Sequence, residues 1–155
     1  MLQNSGLAEA LLHGGNSSIF AFGDPTGSGR GWQVTIRHPL EPEFNFAAVW
    51  LDSMGMATSG VGERHFLSQG KRYGHVIDPR CGRPVEHHLS ATALASTAAL
   101  SDALSTAFFI MSLDEVEAFC SMNPDVGALI VPAVEEGDPP VYSFGIATSC
   151  VDPLS

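Results

Sequence analysis

Between Leu89 and Leu113 the chain carries a single charged side chain, Asp102. A run this apolar is destined for burial, and its spacing divides it into two elements. Leu89 to Leu94 reads as a strand. Thr97 to Met111 reads as the strongest helix of the sequence, because Leu100, Leu104, Ala107, Phe108 and Met111 recur at helical spacing. Its several Ser and Thr residues and Asp102 argue against a membrane span. A second helix is expected from Leu113 to Met122, with Ser112 as N-cap and Glu115 completing a capping box. Asn123-Pro124-Asp125 ends it.

Shorter elements flank this block. Leu7 to Leu12 reads as the end of a helix stopped by Gly14-Gly15. Ser17 to Phe22 reads as a strand, and Gly23 to Gly31 as a turn rich in Gly, Pro, Asp and Ser. Trp32 to His38 alternates apolar and polar residues, as a strand does, until Pro39-Leu40-Glu41-Pro42 breaks it. Ala47 to Leu51 and Met56 to Ser59 read as short strands. Tyr73 to Ile77 leads into the turn Asp78 to Pro84. Val126 to Val131 and Val141 to Ala147 read as a closing strand pair around the acidic loop Glu135 to Pro140. Strands, then helices, then strands again predict one α+β domain over residues 1–155, mainly antiparallel.

Composition narrows the partners. Seventeen Asp and Glu against seven Lys and Arg give a net charge of −10, which repels nucleic acid backbones and anionic membranes. A phosphate-bearing ligand would need a cation or a helix terminus to overcome that field. Cys81, Cys120 and Cys150 are odd in number and widely spaced, so neither a disulfide framework nor a zinc knuckle is expected. The N-terminus has neither the basic start nor the apolar run of a signal peptide.

Three segments could carry chemistry. Asp102 has Ser105 at i+3 and Thr106 at i+4, which gathers one carboxylate and two hydroxyls on one side of a helix. Such hard oxygens suit magnesium. The same pattern also describes a solvent-facing Asp whose neighbouring hydroxyls bond back to main-chain carbonyls. His75 ends a strand before a rigid Asp-Pro turn, where it could accept a proton or simply lie at the surface. Ala57-Thr58-Ser59-Gly60 reads as a small-residue corner, either admitting a ligand close to the backbone or merely turning the chain. His87 and His88 are adjacent, cannot share one strand face, and read as loop residues. Gly27-Ser28-Gly29-Arg30-Gly31 fits neither phosphate-binding glycine motif and reads as a flexible turn.

Taken in order, Ala57-Thr58-Ser59-Gly60, Glu63-Arg64, the run Gly70 to Pro84 and Asp102-Ala103-Leu104-Ser105-Thr106 resemble the ApbE family of FAD:protein FMN transferases. The resemblance covers about Gly14 to Val131 and implies the C-terminal part of that family's T-fold-like fold. It further implies magnesium-dependent transfer of the FMN half of FAD onto a Thr hydroxyl of an acceptor protein, with AMP released. Carried over residue by residue, it puts His75 on the catalytic histidine and Asp102 and Thr106 on the magnesium ligands. It sets Ile77 against the flavin nucleotide, and Ser59 and Ser105 beside the site.

Departures accompany the resemblance. The family's segment that supplies a further metal-site group, before the first strands, is absent. His13-Gly14-Gly15-Asn16 stands where the family has an acid-bearing corner, and Cys81 replaces a Thr. The chain is therefore expected to match the C-terminal half of such an enzyme. It would act alone, as a homo-oligomer or with a complementary N-terminal chain; a flavin- or metal-binding fragment without activity, or a decayed copy, is the alternative. As the sequence stands it would remain in the cytoplasm, although many members of that family are exported.

Overall fold

A computed structural model describes residues 6–15, 18–61, 65–68 and 71–154. Its elements run β1 (Ala10–Gly14), β2 (Ser18–Phe22), β3 (Trp32–Arg37), β4 (Asn45–Leu51), β5 (Met54–Gly60), β6 (His65–Ser68), β7 (Lys71–Gly74), β8 (Ile77–Asp78), β9 (Arg83–Pro84) and β10 (His88–Ala95). They continue with α1 (Ala98–Ile110), α2 (Leu113–Met122), β11 (Gly127–Pro132), β12 (Tyr142–Gly145), α3 (Ala147–Cys150) and β13 (Val151–Pro153). The expected Glu63-Arg64 and Gly70 lie outside the described residues.

The six-stranded sheet has the order β1-β2-β5-β10-β11-β12, every neighbouring pair antiparallel. A three-stranded sheet, β13-β4-β3, lies across one face, and α1 and α2 cover the other. The α+β, mainly antiparallel expectation is met.

The alternation of side chains along a strand explains the layering. On β10, Ala91, Ala93 and Ala95 join the core beneath the helices, with Leu104, Phe108, Phe109 and Val116. Leu94, between them, joins the other core, with Val49, Leu51 and Ile36 of the small sheet. Both faces of β10 are thus covered, and this is why its sequence shows no polar alternation. Small residues on the helix side let α1 come close. An added Cβ on Gly55 would lie 2.5 Å from the main chain of Thr97 and Ala98, where α1 begins.

Local signals set the helix ends. Thr97 Oγ1 accepts from Leu100 N at 3.1 Å and starts α1. Ser112 and Glu115 form the expected capping box, with Ser112 N donating to Glu115 Oε2 at 2.7 Å. Among the described residues no helix is long and apolar enough to cross a membrane. All three cysteines are free.

Several expectations need correction. Leu7 to Leu12 is not a helix end: Ala10–Gly14 is an edge strand paired with β2, because a hairpin partner outweighs the helix preference of a few residues. In the segment that leads into the turn, Tyr73 and Gly74 close β7, His75 follows directly at the strand's end as expected, and Ile77 opens β8. His88 is not a loop residue. It opens β10, is 3% exposed, and its Nε2 donates to Met111 O at 2.9 Å. A register shift between His88 and Ser90 lets His87 reach the same carbonyl, at 3.3 Å, from outside the strand. The expected closing pair is present as β11 and β12; unforeseen beyond it are α3 and β13, which pairs with β4.

Two outcomes follow from these contacts. Gly55→Ala forces its new methyl against main chain and should cost about 1–3 kcal/mol in urea denaturation. Burial, aided by the charge of His87, pulls the His88 imidazole below its usual range. The unfolded chain then takes up a proton that the folded chain refuses, so stability should fall as pH drops through about 6.5. Melting curves between pH 7.5 and 5.5 should show this slope, and His88→Gln should flatten it.

Candidate functional site

The row Gly55, Ala57 and Ser59 on β5 pairs with Ala95, Ala93 and Ala91 on β10, and both rows face α1. Ala57-Thr58-Ser59-Gly60 is therefore the end of a strand rather than a corner. Because α1 lies so close, Ser59 Oγ stands 2.9 Å from Ser105 Oγ and 3.2 Å from Thr106 Oγ1. Ser105 Oγ also donates to Asp102 O at 2.9 Å, and Thr106 Oγ1 to the same carbonyl at 3.5 Å. Three hydroxyls and one main-chain carbonyl thus form a single polar cluster at the β5–α1 junction.

Asp102 and Thr106 are exposed one helical turn apart, whereas Ser105 is buried at 1% exposure. The back-bonding pattern foreseen for these hydroxyls is what they adopt here, and Ser59 adds a tie from the sheet. Asp102 and Thr106, both exposed, carry hard oxygens of the kind a magnesium ion takes. Among the described residues no group of three or more His, Cys, Asp or Glu gathers to hold a metal. A cation here would take one carboxylate and a hydroxyl from the chain and its remaining oxygens from water or a phosphate.

His75 is exposed and precedes Val76, whose buried side chain belongs to the same core cluster as Leu104 and Phe108 of α1. Val85 N donates to Val76 O at 3.0 Å, which closes the loop behind it. Ile77 is 45% exposed at the start of β8.

Sequence reasoning missed what anchors this loop. Arg80 Nε and Nη2 each donate to the Asp78 carboxylate at 3.0 Å. Its Nη1 reaches Glu115 Oε1 at 3.2 Å, and Nη2 also donates to Ile110 O at 2.8 Å. One guanidinium therefore joins the turn to the end of α1 and the start of α2. Its hydrogen bonds hold the Asp78 carboxyl below the usual carboxylate range. The Glu115 carboxyl is held low first by the Ser112 N–H of the capping box and then by Arg80. The Asp-Pro-Arg order announced a turn; nothing in it announced a partner 35 residues away.

The model of the ApbE family matches residues 1–130. The chain belongs to the ApbE family. Among curated ApbE-type proteins, the FAD:protein FMN transferase of Haemophilus influenzae is 41% identical over 98 residues, which cover 61% of this chain and 28% of that protein. The FAD:protein FMN transferase of Escherichia coli K12 is 34% identical over 114 residues, covering 72% and 32%. The ApbE protein of Thermotoga maritima superposes with a TM-score of 0.74 at 30% identity, over 88% of this chain and 42% of that one. Pseudomonas stutzeri flavinyl transferase ApbE does so with 0.69 at 31%, over 92% and 43%. The chain thus spans about a third of these curated relatives and under half of these structures.

If the hydroxyl cluster ties β5 to α1, Ser59→Ala should lower stability by about 0.5–1.5 kcal/mol, measured by urea denaturation. Ser59→Thr, which keeps the hydroxyl, should recover part of that loss.

Proposed function

We propose that the chain takes part in protein flavinylation: transfer of the FMN half of FAD to a Thr hydroxyl of an acceptor protein, with AMP released. The observation that carries this reading is the β5–α1 cluster, where Ser59, Ser105 and the Asp102 carbonyl fix Thr106 one helical turn from the Asp102 carboxylate.

Asp102 and Thr106 would hold the magnesium ion. When bound, that ion supplies the positive charge that diphosphate cleavage needs, in a chain whose net charge is −10. His75 takes the proton of the acceptor hydroxyl. The freed oxygen forms a bond to the FMN phosphorus as the bond from that phosphorus to the AMP oxygen breaks. The main chain at Ile77 lies along the flavin nucleotide. Ser59 and Ser105 act as positioning residues, since the buried Ser105 reaches a ligand only through its neighbours. Names of relatives such as FAD:protein FMN transferase support the transfer, and the hard-oxygen character of the donors supports the cation.

A second reading is a flavin- and metal-binding part that transfers only beside a complementary chain. It is favoured by the fact that the described residues gather no group of three or more His, Cys, Asp or Glu to hold a metal.

The test is incubation with FAD, magnesium and a Thr-bearing acceptor, read as flavin fluorescence in a denaturing gel, with and without an N-terminal portion of a relative. Labelling only in the mixture selects the second reading. His75→Ala should abolish labelling while FAD affinity, by calorimetry, stays within about twofold; full-rate labelling by this variant removes the proton-acceptor role. Asp102→Ala should weaken FAD binding in magnesium about tenfold or more, or about 1.4 kcal/mol. Equal affinities with and without magnesium would exclude that ligand role.

A further inference from the structure

Three strands cannot cover six, and the mismatch between the two sheets leaves a cleft of about 770 Å³ on the face away from α1. Leu11, Ile19, Met56 and Thr58 of the larger sheet form its floor. Its wall is the continuous run Gln33 to Arg37 of β3. Successive side chains of a strand point to opposite faces, so a wall of consecutive residues is a strand edge rather than a strand face. Among the described residues β3 pairs only with β4. Its outer N–H and C=O groups therefore border the cleft over five residues, or roughly 16 Å.

The charge of the cleft departs from that of the chain. Among the described residues no Asp or Glu lines it, whereas Arg37, His13 and His38 all do. His38 Nδ1 accepts from Glu41 N at 3.1 Å, which assigns the ring proton to Nε2 and makes that nitrogen a donor.

We propose that this cleft receives an extended acidic polypeptide segment, added as a fourth strand to the free edge of β3. Apolar side chains at alternate positions cover Leu11, Ile19 and Met56, and a carboxylate faces Arg37 and the imidazoles. An unpaired edge is a template for strand addition: main-chain hydrogen bonds give affinity, and alternate side chains give selectivity. A small anion would answer the charge but leave the edge unpaired, which is why the peptide is the occupant the geometry favours. The proposal is independent of flavin transfer.

The probe is the acetylated, amidated peptide Glu-Val-Thr-Val-Thr-Val-Glu, with two copies methylated at the Val or at the Thr main-chain nitrogens. Against the isotopically labelled chain, the unmodified peptide should slow hydrogen exchange at alternate amides of residues 33–37 at least tenfold. At least one methylated copy should fail to do so. Arg37→Glu should weaken this peptide tenfold or more and favour a version ending in Lys. No amide protection at millimolar peptide overturns the proposal, as does equal binding of all three peptides. An Arg37→Glu variant that binds both versions unchanged overturns the acidic assignment. Concentration-dependent self-association that protects the same amides without peptide gives the edge to a second copy and overturns it as well.

Discussion

The approach of α1 to the central sheet is the constraint on which the site depends. The rows Gly55-Ala57-Ser59 and Ala91-Ala93-Ala95 present nothing larger than a methyl or hydroxymethyl group to the helix. At Gly55 even a methyl is too much, because the main chain of Thr97 and Ala98 fills that space. Only at this separation can Ser59 Oγ meet Ser105 at 2.9 Å and Thr106 at 3.2 Å. Leu104, Phe108 and Phe109 then supply the apolar volume beneath the helix that its small-residue bed lacks. Packing and polar geometry are therefore one problem. A bulkier row would lift α1 and separate the hydroxyls before it changed any residue of the cluster.

The second fixed point is ionic and more exposed. Arg80 holds the Asp78 turn to Ile110 O and to Glu115, which is itself half of the capping box of α2. Its side chain is half exposed, so its worth lies less in stability than in geometry. The planar guanidinium meets Asp78 through two parallel bonds, which fixes direction as a flexible ammonium would not. His75 and Ile77 are thereby carried on a loop registered to the same helix that carries Asp102 and Thr106. One helix serves as the common reference for both parts of the candidate site.

What the sequence disclosed follows the range of each interaction. The capping box of Ser112 and Glu115 and the span of α1 were legible because their causes lie within a few residues. So was the strand at Trp32, whose alternation is its own signature. The hairpin at Ala10–Gly14 was misread because its stabilising partner, β2, is tertiary rather than local. His88 was misplaced for a similar reason: its burial is decided by Met111, 23 residues on. Helical spacing placed Ser105 and Thr106 beside Asp102. Their partner Ser59, 46 residues from Ser105, could be associated with them only through the order of motifs. Arg80 and Glu115 escaped notice because neither residue is unusual in its own segment.

The two faces of the larger sheet have consequently diverged. Along β5, Ala57 and Ser59 look toward α1, while Met56 and Thr58 look toward the small sheet. One strand thus contributes a hydroxyl to the polar cluster on one side and part of a cleft floor on the other. On the helix side the close approach of α1 fixes oxygen atoms. On the other side two sheets of unequal width leave space, with basic groups around it in an acidic chain. Because β5 lies between β2 and β10, neither face can shift without moving the register of the other. The cleft floor and the hydroxyl cluster thus share that single strand.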